Sequence, residues 1–423
     1  MTSKFDPSLT WAEHDAVRQL LDDTYRAQWG RLLSLLVART RRLDLAEDAL
    51  SEAFARANER WTAADIPSNP IGWLFSTASR WALGRLRAEA MHGKKARLLA
   101  VDQAWESPPS TEGFDSLGDE RLAVILLCCH PALSSESRAP LALRLVIGTK
   151  TEQIARLFVV SRATMAARIT RAKKKILLAG IPLSSAPQHE LRVRLPDVCR
   201  TVYLAFTAGY APAEGPDLLR TDLAGEAVEL AAVLHQLVPE APEARALLGL
   251  LLFQHARRDA RCHEGRLVPL AEQDRSLWRD DEVQLGRALV APLTPTQGYA
   301  EELRLQCKVA QQHVLAPTAE QTDWREISDL YAQLETLTRS PVVRLNRAVA
   351  VAEALSPEAG LALLADLDVL LPDNHRLYAV RADLARRAGA LDLARASYSH
   401  ALTLCRNTVE RDYLTQRLAT VGG

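Results

Sequence analysis

The chain has 423 residues, of which 48% are hydrophobic and 25% are charged, a composition that suits a globular protein of two or three domains. No apolar run approaches the roughly 20 residues of a membrane span, and the N-terminus lacks the apolar core of a signal peptide. These features exclude a membrane-spanning protein, so we expect a cytoplasmic location and no membrane partner.

The six cysteines show no CxxC spacing, so we expect neither a metal site nor a cofactor. The net charge is zero over the whole chain, but it is divided unevenly. Residues 1–189 carry 26 Lys and Arg against 20 Asp and Glu, while residues 190–423 carry 26 against 32. This asymmetry favours a half that faces nucleic acid followed by a half that faces protein or has a regulatory role.

Helical periodicity runs through almost the whole chain, and no segment shows sustained alternation, so we predict an all-α fold. A first block, residues 12–98, contains predicted helices over about 16–40, from near Asp44, and over about 71–90, with a break at 65–70. Its second helix carries an acidic surface of Asp44, Glu47, Asp48 and Glu52. Acidic residues near a helix start also stabilise the helix dipole, which is the alternative interpretation.

Residues 99–118 contain a Pro-, Ser- and Gly-rich stretch and are predicted to form a linker. A second helical block, residues 119–181, ends in two helices joined by a short turn at 159–160. The first of these helices should begin near Lys150, where Thr149 and Glu152 suggest a capping box. Ser161 is a preferred N-cap for the second helix.

In this second helix the apolar residues Met165, Ile169, Ala172 and Ile176 have helical spacing and should face inward. Residues 150–180 contain eight Lys and Arg against the single acid Glu152. A small outer surface at the start of the helix and cations further along it fit a recognition helix in a major groove. The alternative is a solvated basic helix in a protein that does not touch nucleic acid.

The C-terminal block, residues 190–423, contains an internal repeat. Residues 341–374 align with 375–408 at an offset of 34, pairing Ala348 with Ala382 and Gly360 with Ala394. The second copy resembles a tetratricopeptide repeat, and since a few repeats bury little on their own, residues 190–340 should supply degenerate or capping repeats. The alternative is an ordinary helical domain with accidental similarity.

The order of these segments resembles that of an extracytoplasmic-function (ECF) RNA polymerase sigma factor. The stretch LDLAEDALSEAFARANERW is similar to sigma region 2, NPIGWLFSTASRWALGRLRAE to the segment that melts and reads the −10 element, and residues 119–176 to region 4, which reads the −35 element. Later stretches, including PDVCRTVYLAFTAGY and AEQDRSLW, resemble the ECF group with a C-terminal tetratricopeptide-like extension.

The resemblance implies three sets of contact residues. Those expected to meet the polymerase core are Leu45, Asp48, Glu52 and Phe54, although Phe54 also suits a core position. Those expected on −10 DNA are Trp73, Arg80, Trp81, Arg85 and Arg87, with core packing as the alternative for both tryptophans. Those expected on −35 DNA are Arg162, Ala163, Thr164 and Ala166 near base edges, and Arg168, Arg171 and Lys173 on phosphates.

In the −10 segment the sequence departs from the family pattern. Within SRWALGRLR, Arg80 stands where such factors commonly have an Asn and Gly84 where they commonly have an Asp, so the residues that set the −10 preference differ from the family pattern. Gly84 should also weaken its helix by about 1 kcal/mol relative to Ala.

The resemblance implies a promoter-specificity subunit of bacterial RNA polymerase, with the β′ and β subunits of the core and promoter DNA as partners. The C-terminal domain would control activity in cis or through a protein partner. An operator-binding regulator that uses the helix-turn-helix without polymerase is the alternative. No Gly-rich phosphate loop or paired catalytic motif is present, so an enzyme is not expected, and Asp274 and Arg275 are interpreted as an ion pair.

Overall fold

The structure is a computed structural model that describes residues 11–62, 65–91, 118–158, 160–179, 188–210 and 221–421. Within these residues the fold is all-α, as predicted. The one pair of strands described is a two-residue hairpin, β1 (Cys262–His263) and β2 (Arg266–Leu267), whose turn residues Glu264 and Gly265 both have positive φ. The chain divides into two compact units, Met1–Leu204 and Ala205–Gly423.

The first unit begins with an N-terminal bundle of three helices: α1 (Trp11–Thr40), α2 (Leu43–Arg60) and α3 (Pro70–Met91). The first two helices start at or before their predicted positions, and Pro70 occupies the first turn of α3, where its missing N–H costs nothing. Leu32 and Leu36 of α1, one helical turn apart, are fully buried with Leu50 of α2 and Leu74 of α3. The bundle is therefore held together by one apolar stripe from each helix.

A second bundle follows in the same unit, made of α4 (Gly118–Cys128), α5 (Ser135–Leu145), α6 (Thr151–Leu157) and α7 (Arg162–Ala179). Its core contains Ile125, Leu141, Leu143 and Met165, all nearly inaccessible. The predicted linker lies outside the described residues except for its last residue, Gly118. We call this second group the helix-turn-helix bundle.

Helix α8 (Gln188–Tyr210) contains the boundary between the two units. Its first part packs on the helix-turn-helix bundle. Asp197 pairs with Arg138, Arg194 donates to the carbonyl oxygen of Leu126 at 3.1 Å, and the side chains of Thr201 and Cys129 are 3.7 Å apart. The segment from residue 190, which the sequence places with the C-terminal domain, thus contributes the part of its first helix up to Leu204 to the N-terminal unit.

The second unit contains helices paired with their neighbours in sequence, and its described helices follow here. They are α9 (Thr221–Leu237), α10 (Pro242–His255), α11 (Asp280–Val290), α12 (Gly298–Leu315), α13 (Trp324–Thr338), α14 (Pro341–Ala354), α15 (Pro357–Leu363), α16 (Leu367–Leu370), α17 (His375–Arg387), α18 (Leu391–Leu404) and α19 (Thr408–Val421). Short 3-10 turns at Arg258–Ala260, Leu270–Glu272 and Arg275–Leu277 connect α10 to α11.

Small residues recur in the two 34-residue copies where helices approach closely. The aligned pair Ala348 and Ala382 is fully buried. In the second aligned pair, Gly360 is buried and Ala394 is fully buried. A Cβ on Gly360 would lie 2.6 Å from the carbonyl oxygen of Ala348, so glycine is required for this approach. Among the described residues, no helix is both long and apolar enough to cross a membrane.

Candidate nucleic-acid interface

The helix-turn-helix is formed by α6 and α7, which begin at Thr151 and Arg162. The backbone N–H of Thr164 donates to the Ser161 hydroxyl at 3.1 Å, which confirms Ser161 as the cap of α7. The predicted capping box between Thr149 and Glu152 is wrong. The Thr149 hydroxyl is buried without a hydrogen-bond partner, and the start of α6 is capped by the Gln153 side chain, which accepts from the Lys150 N–H at 3.3 Å.

The inner side of α7 is apolar, as predicted. Met165, Ile169, Ala172 and Ile176 are all at most 5% exposed, so they fix the rotation of the helix about its own axis. This rotation determines which side chains of α7 reach solvent. Arg162, Ala163, Thr164, Ala166 and Arg171 are exposed, whereas Arg168 and Lys173 are half-buried.

The exposed start of α7 combines one cation with small side chains. Arg162, Ala163 and Ala166 leave room for a base edge to approach the helix. The Thr164 hydroxyl is 2.8 Å from the Ser161 hydroxyl and so takes part in the cap. This end of the helix can enter a groove and present one guanidinium to bases.

The three predicted phosphate contacts are in different environments. Arg171 is exposed and its Nε donates to the carbonyl oxygen of Ala167 in its own helix at 3.3 Å. Arg168 forms a 3.0 Å ion pair with Glu136 of α5. Lys173 binds Glu47 of α2, so two of the three cations are paired with carboxylates within the first unit.

The pair between Lys173 and Glu47 joins the two bundles directly. Lys173 Nζ lies 2.6 Å from both carboxylate oxygens of Glu47, and the side chains are 29% and 18% exposed. Glu47 belongs to the acidic surface of α2 recognised in the sequence. This pairing was not predicted, because the two residues are 126 positions apart in the sequence.

A second contact between the bundles surrounds Trp29 of α1. The Arg144 guanidinium lies 5.9 Å from the ring of Trp29 and donates to the Tyr25 hydroxyl at 3.3 Å. A Cβ on Gly30 would overlap the carbonyl oxygen of Val146. Gly148, with φ of +72°, lies against the same tryptophan, so glycine on each side permits the close approach.

The predicted polymerase-contact residues on α2 have unequal access to solvent. Leu45 is 3% exposed and does not reach the surface. Phe54 packs its ring 5.3 Å from Tyr25 and 6.2 Å from Trp29, in agreement with its core alternative. Asp48 is exposed, and Glu52 forms a 2.8 Å pair with Arg56 one turn along.

The predicted −10 residues lie along α3 at helical spacing. Arg80, Arg85 and Arg87 are exposed, and the Arg85 guanidinium lies 5.7 Å from the ring of the half-buried Trp81. Trp73 packs edge-on against Trp61 at 5.3 Å, which supports the core alternative in part. The helix therefore presents aromatic and cationic groups together, the combination that binds unstacked bases.

In the second unit His375, Cys405 and Glu410 bring three potential metal ligands within 4.8 Å of one another. Sequence spacing did not predict this group. Burial would raise the pKa of Glu410, but hydrogen bonds and charge from His375 and Arg376 lower it to about 2. Because the Glu410 carboxylate is bound to His375 and Arg376 at 2.7 and 3.1 Å, the arrangement acts as a polar cluster that joins α17 to α19.

Asp274 and Arg275 do not pair with each other, so that prediction is wrong. The Asp274 carboxylate accepts from the N–H and hydroxyl of Ser276, at 2.9 and 2.7 Å. Arg275 instead donates to the carbonyl oxygens of His313 and Ala316, at 2.8 and 2.7 Å. The two adjacent side chains point to different partners, one local and one on α12.

Comparison with known proteins connects this geometry to a family. Sigma-70 region 4 matches residues 123–176, and a family of unknown function, DUF6596, matches residues 194–293. The uncharacterized protein R00370 of Rhizobium meliloti is 35% identical over 391 residues, which cover 91% of this chain and 92% of that protein. The probable RNA polymerase sigma factor RfaY of Xanthomonas campestris is 29% identical over 146 residues, covering 34% and 36%.

No solved structure matches the chain. The region 4 match covers most of α4 through α7, including the whole exposed start of the predicted recognition helix. The chain thus belongs to the same family as R00370 over nearly its full length, and its sigma-70 region 4 domain and partial similarity to RfaY support a sigma-70-family factor.

Proposed function

We propose that this chain is an ECF-type sigma factor that binds the bacterial RNA polymerase core and directs it to promoters. The observation that carries the proposal is the region 4 match over a helix-turn-helix whose second helix is exposed at its start. In this role Arg162, Ala163, Thr164 and Ala166 would approach −35 base edges. Arg168, Arg171 and Lys173 would contact the flanking phosphates.

The N-terminal bundle would supply the other two functions. Its α2 helix offers the exposed carboxylate of Asp48 and the half-buried carboxylate of Glu52 to the polymerase, with the buried Leu45 and packed Phe54 holding that helix in position. Its α3 helix would hold the opened −10 strand. There Trp81 and, at its exposed edge, Trp73 would stack on bases, and Arg80, Arg85 and Arg87 would contact the backbone.

The pair between Lys173 and Glu47 bears on when this chain is active. It joins a cation proposed to contact DNA to the acidic helix proposed to contact polymerase. Neither charge is available to an outside partner while the pair exists. In this interpretation the structure represents the free protein, and binding to the core separates the two bundles.

The second unit would control activity in cis or through a protein partner. We assign the chain to the ECF group with a C-terminal extension because this unit contains the tetratricopeptide-like repeat. The equivalent small residues of both copies are buried, and Leu364 and Tyr398, which also align, are at most 2% exposed. Consecutive antiparallel helices with small residues at the crossing are the pattern that such repeats require.

Run-off transcription with purified bacterial core polymerase and a promoter library tests the proposal. The full chain should start transcripts that the core alone does not. Arg162→Ala should reduce them by about tenfold, the loss expected from one guanidinium at a base edge. Arg325→Ala, which removes an exposed arginine from the second unit, is the matched control and should have no effect.

Failure to initiate at any promoter would contradict a sigma function. If the chain then bound duplex DNA alone, with an affinity that falls steeply with salt, we would conclude that it is an operator-binding regulator and not a sigma factor. A sigma factor of this type should require the polymerase for tight binding, since tethering converts the second DNA contact into an intramolecular one.

A further inference from the structure

Three arginines converge in the segment that follows α10. The Arg257 and Arg275 guanidiniums lie 5.8 and 4.4 Å from the ring of Trp278, and the Arg261 guanidinium lies 3.9 Å from the ring of Tyr210. The positive charge of Arg257 acts on both of the other arginines. We call Arg257, Arg261 and Arg275 the arginine cluster.

The cluster has no carboxylate partner among the described residues. Arg275 donates to two carbonyl oxygens and Arg261 donates to the carbonyl oxygen of Tyr210 at 2.5 Å. Within the part of the chain that the structure describes, Arg257 makes no side-chain hydrogen bond, and its Nε is buried without a partner. Half-buried arginines are normally paired, so three together without a carboxylate leave a concentrated positive charge.

The nearby acids are committed elsewhere. Asp259 pairs with Arg279 at 2.7 Å, and Glu282 pairs with Arg258 at 2.8 Å. Glu410 pairs with His375 and Arg376. Glu320, whose charge reaches Arg275, is exposed and screened by solvent. The residues from 190 onward are acidic overall, so the cluster is a local exception to the charge of its unit.

Further hydrogen-bond donors surround the cluster and are also unpartnered. The Trp278 Nε1, the His313 Nδ1 and the Tyr210 hydroxyl are buried and have no hydrogen-bond partner among the residues described. Leaving such a buried group without a partner destabilises the folded state. Burial and then the charges of Arg257 and Arg275 lower the pKa of His313 to about 3, as expected beside uncompensated positive charge.

We propose that the arginine cluster, with the donors of Trp278 and His313, binds the phosphate group of a small phosphorylated ligand. Guanidinium groups and N–H donors match phosphate oxygens, and several cations suit a dianion better than a single carboxylate. Arg257, Arg261, Arg275 and Trp278 are each only half-buried, so part of each side chain reaches solvent. The site goes beyond the proposed function and gives the second unit a small-molecule input.

Isothermal titration calorimetry of the full chain with pyrophosphate tests the proposal. We expect saturable binding that Arg257→Gln weakens at least about tenfold, equivalent to about 1.4 kcal/mol. Arg257 is the suitable position because its guanidinium makes no hydrogen bond, so the fold should persist. Arg279→Gln removes an exposed arginine that is already paired with Asp259, and it should leave the affinity within about twofold.

A second measurement separates a binding site from a structural cluster. Pyrophosphate should raise the pKa of His313 in an NMR titration of the imidazole, because a bound anion offsets the charges of Arg257 and Arg275. Citrate provides the carboxylate comparison and should bind at least about tenfold more weakly than pyrophosphate.

Three results would overturn the proposal: no saturable binding at about 10 mM pyrophosphate, unchanged affinity in Arg257→Gln, or equal affinity for citrate. An acidic peptide that binds more tightly than pyrophosphate would also overturn it, in favour of a protein partner. None of these results depends on transcription, so they are independent of the outcome for the sigma function.

Discussion

Neutralising Glu47 should weaken the packing of α7 on α2, because its carboxylate is the partner that Lys173 Nζ contacts at 2.6 Å. Two unit charges about 4 Å apart attract by roughly 4 kcal/mol at an effective dielectric constant of about 20. Ordering the lysine side chain costs up to about 2 kcal/mol, and partial loss of hydration reduces the gain further.

The side chains of Lys173 and Glu47 are less exposed than those of ordinary surface pairs, at 29% and 18%. We therefore expect a coupling free energy of about 1–2 kcal/mol, above the roughly 0.2–1 kcal/mol of exposed pairs. A double-mutant cycle with Glu47→Gln, Lys173→Gln and the double variant measures this coupling free energy. The readout is the free energy of opening from hydrogen exchange in peptides of α2 and α7.

The matched control is the same cycle with Lys174 in place of Lys173. Lys174 is the next residue of α7 and is exposed, so its cycle with Glu47 should give less than about 0.3 kcal/mol. A Lys173 coupling as small as that of Lys174 would refute the closed contact. It would also remove the reason to expect that the polymerase must separate the two bundles.

Further predictions concern both units. Carbodiimide should cross-link Lys173 to Glu47 in the free chain. Gly30→Ala should lower the yield of that cross-link, because its Cβ would overlap the carbonyl oxygen of Val146. An undiminished yield would count against the packing of the two bundles on each other. Gly84→Ala should stabilise α3 by about 1 kcal/mol in thermal unfolding, because a Cβ there meets open space; a loss of stability would show that the glycine has a packing role. Glu410→Gln should cost the second unit up to about 3 kcal/mol at pH 7. The lowered pKa of Glu410 means that this difference should fade as the pH drops from about 4.5 to 2, and a constant difference would refute the ion-pair explanation.

Local patterns in the sequence predicted much of the first unit. The spacing of Met165, Ile169, Ala172 and Ile176 correctly identified the buried side of α7, because helical periodicity is a property of neighbouring residues. Ser161 was likewise correctly identified as a cap, since its partner is three residues away. The predicted capping box failed because the N–H of Thr149 donates to the carbonyl oxygen of Leu143 at 3.0 Å and Thr149 is buried by tertiary packing, while Gln153 caps the next residue, Lys150.

The sequence by itself determined that the chain is helical, where α7 begins, and which of its side chains are buried. These properties depend on residues within a few turns of one another. Only the tertiary structure decided that Lys173 meets Glu47, that α8 packs on the helix-turn-helix bundle, and that three arginines converge without a carboxylate. Contacts between distant segments depend on how whole helices pack, and the periodicity of one segment does not encode the register of its neighbour.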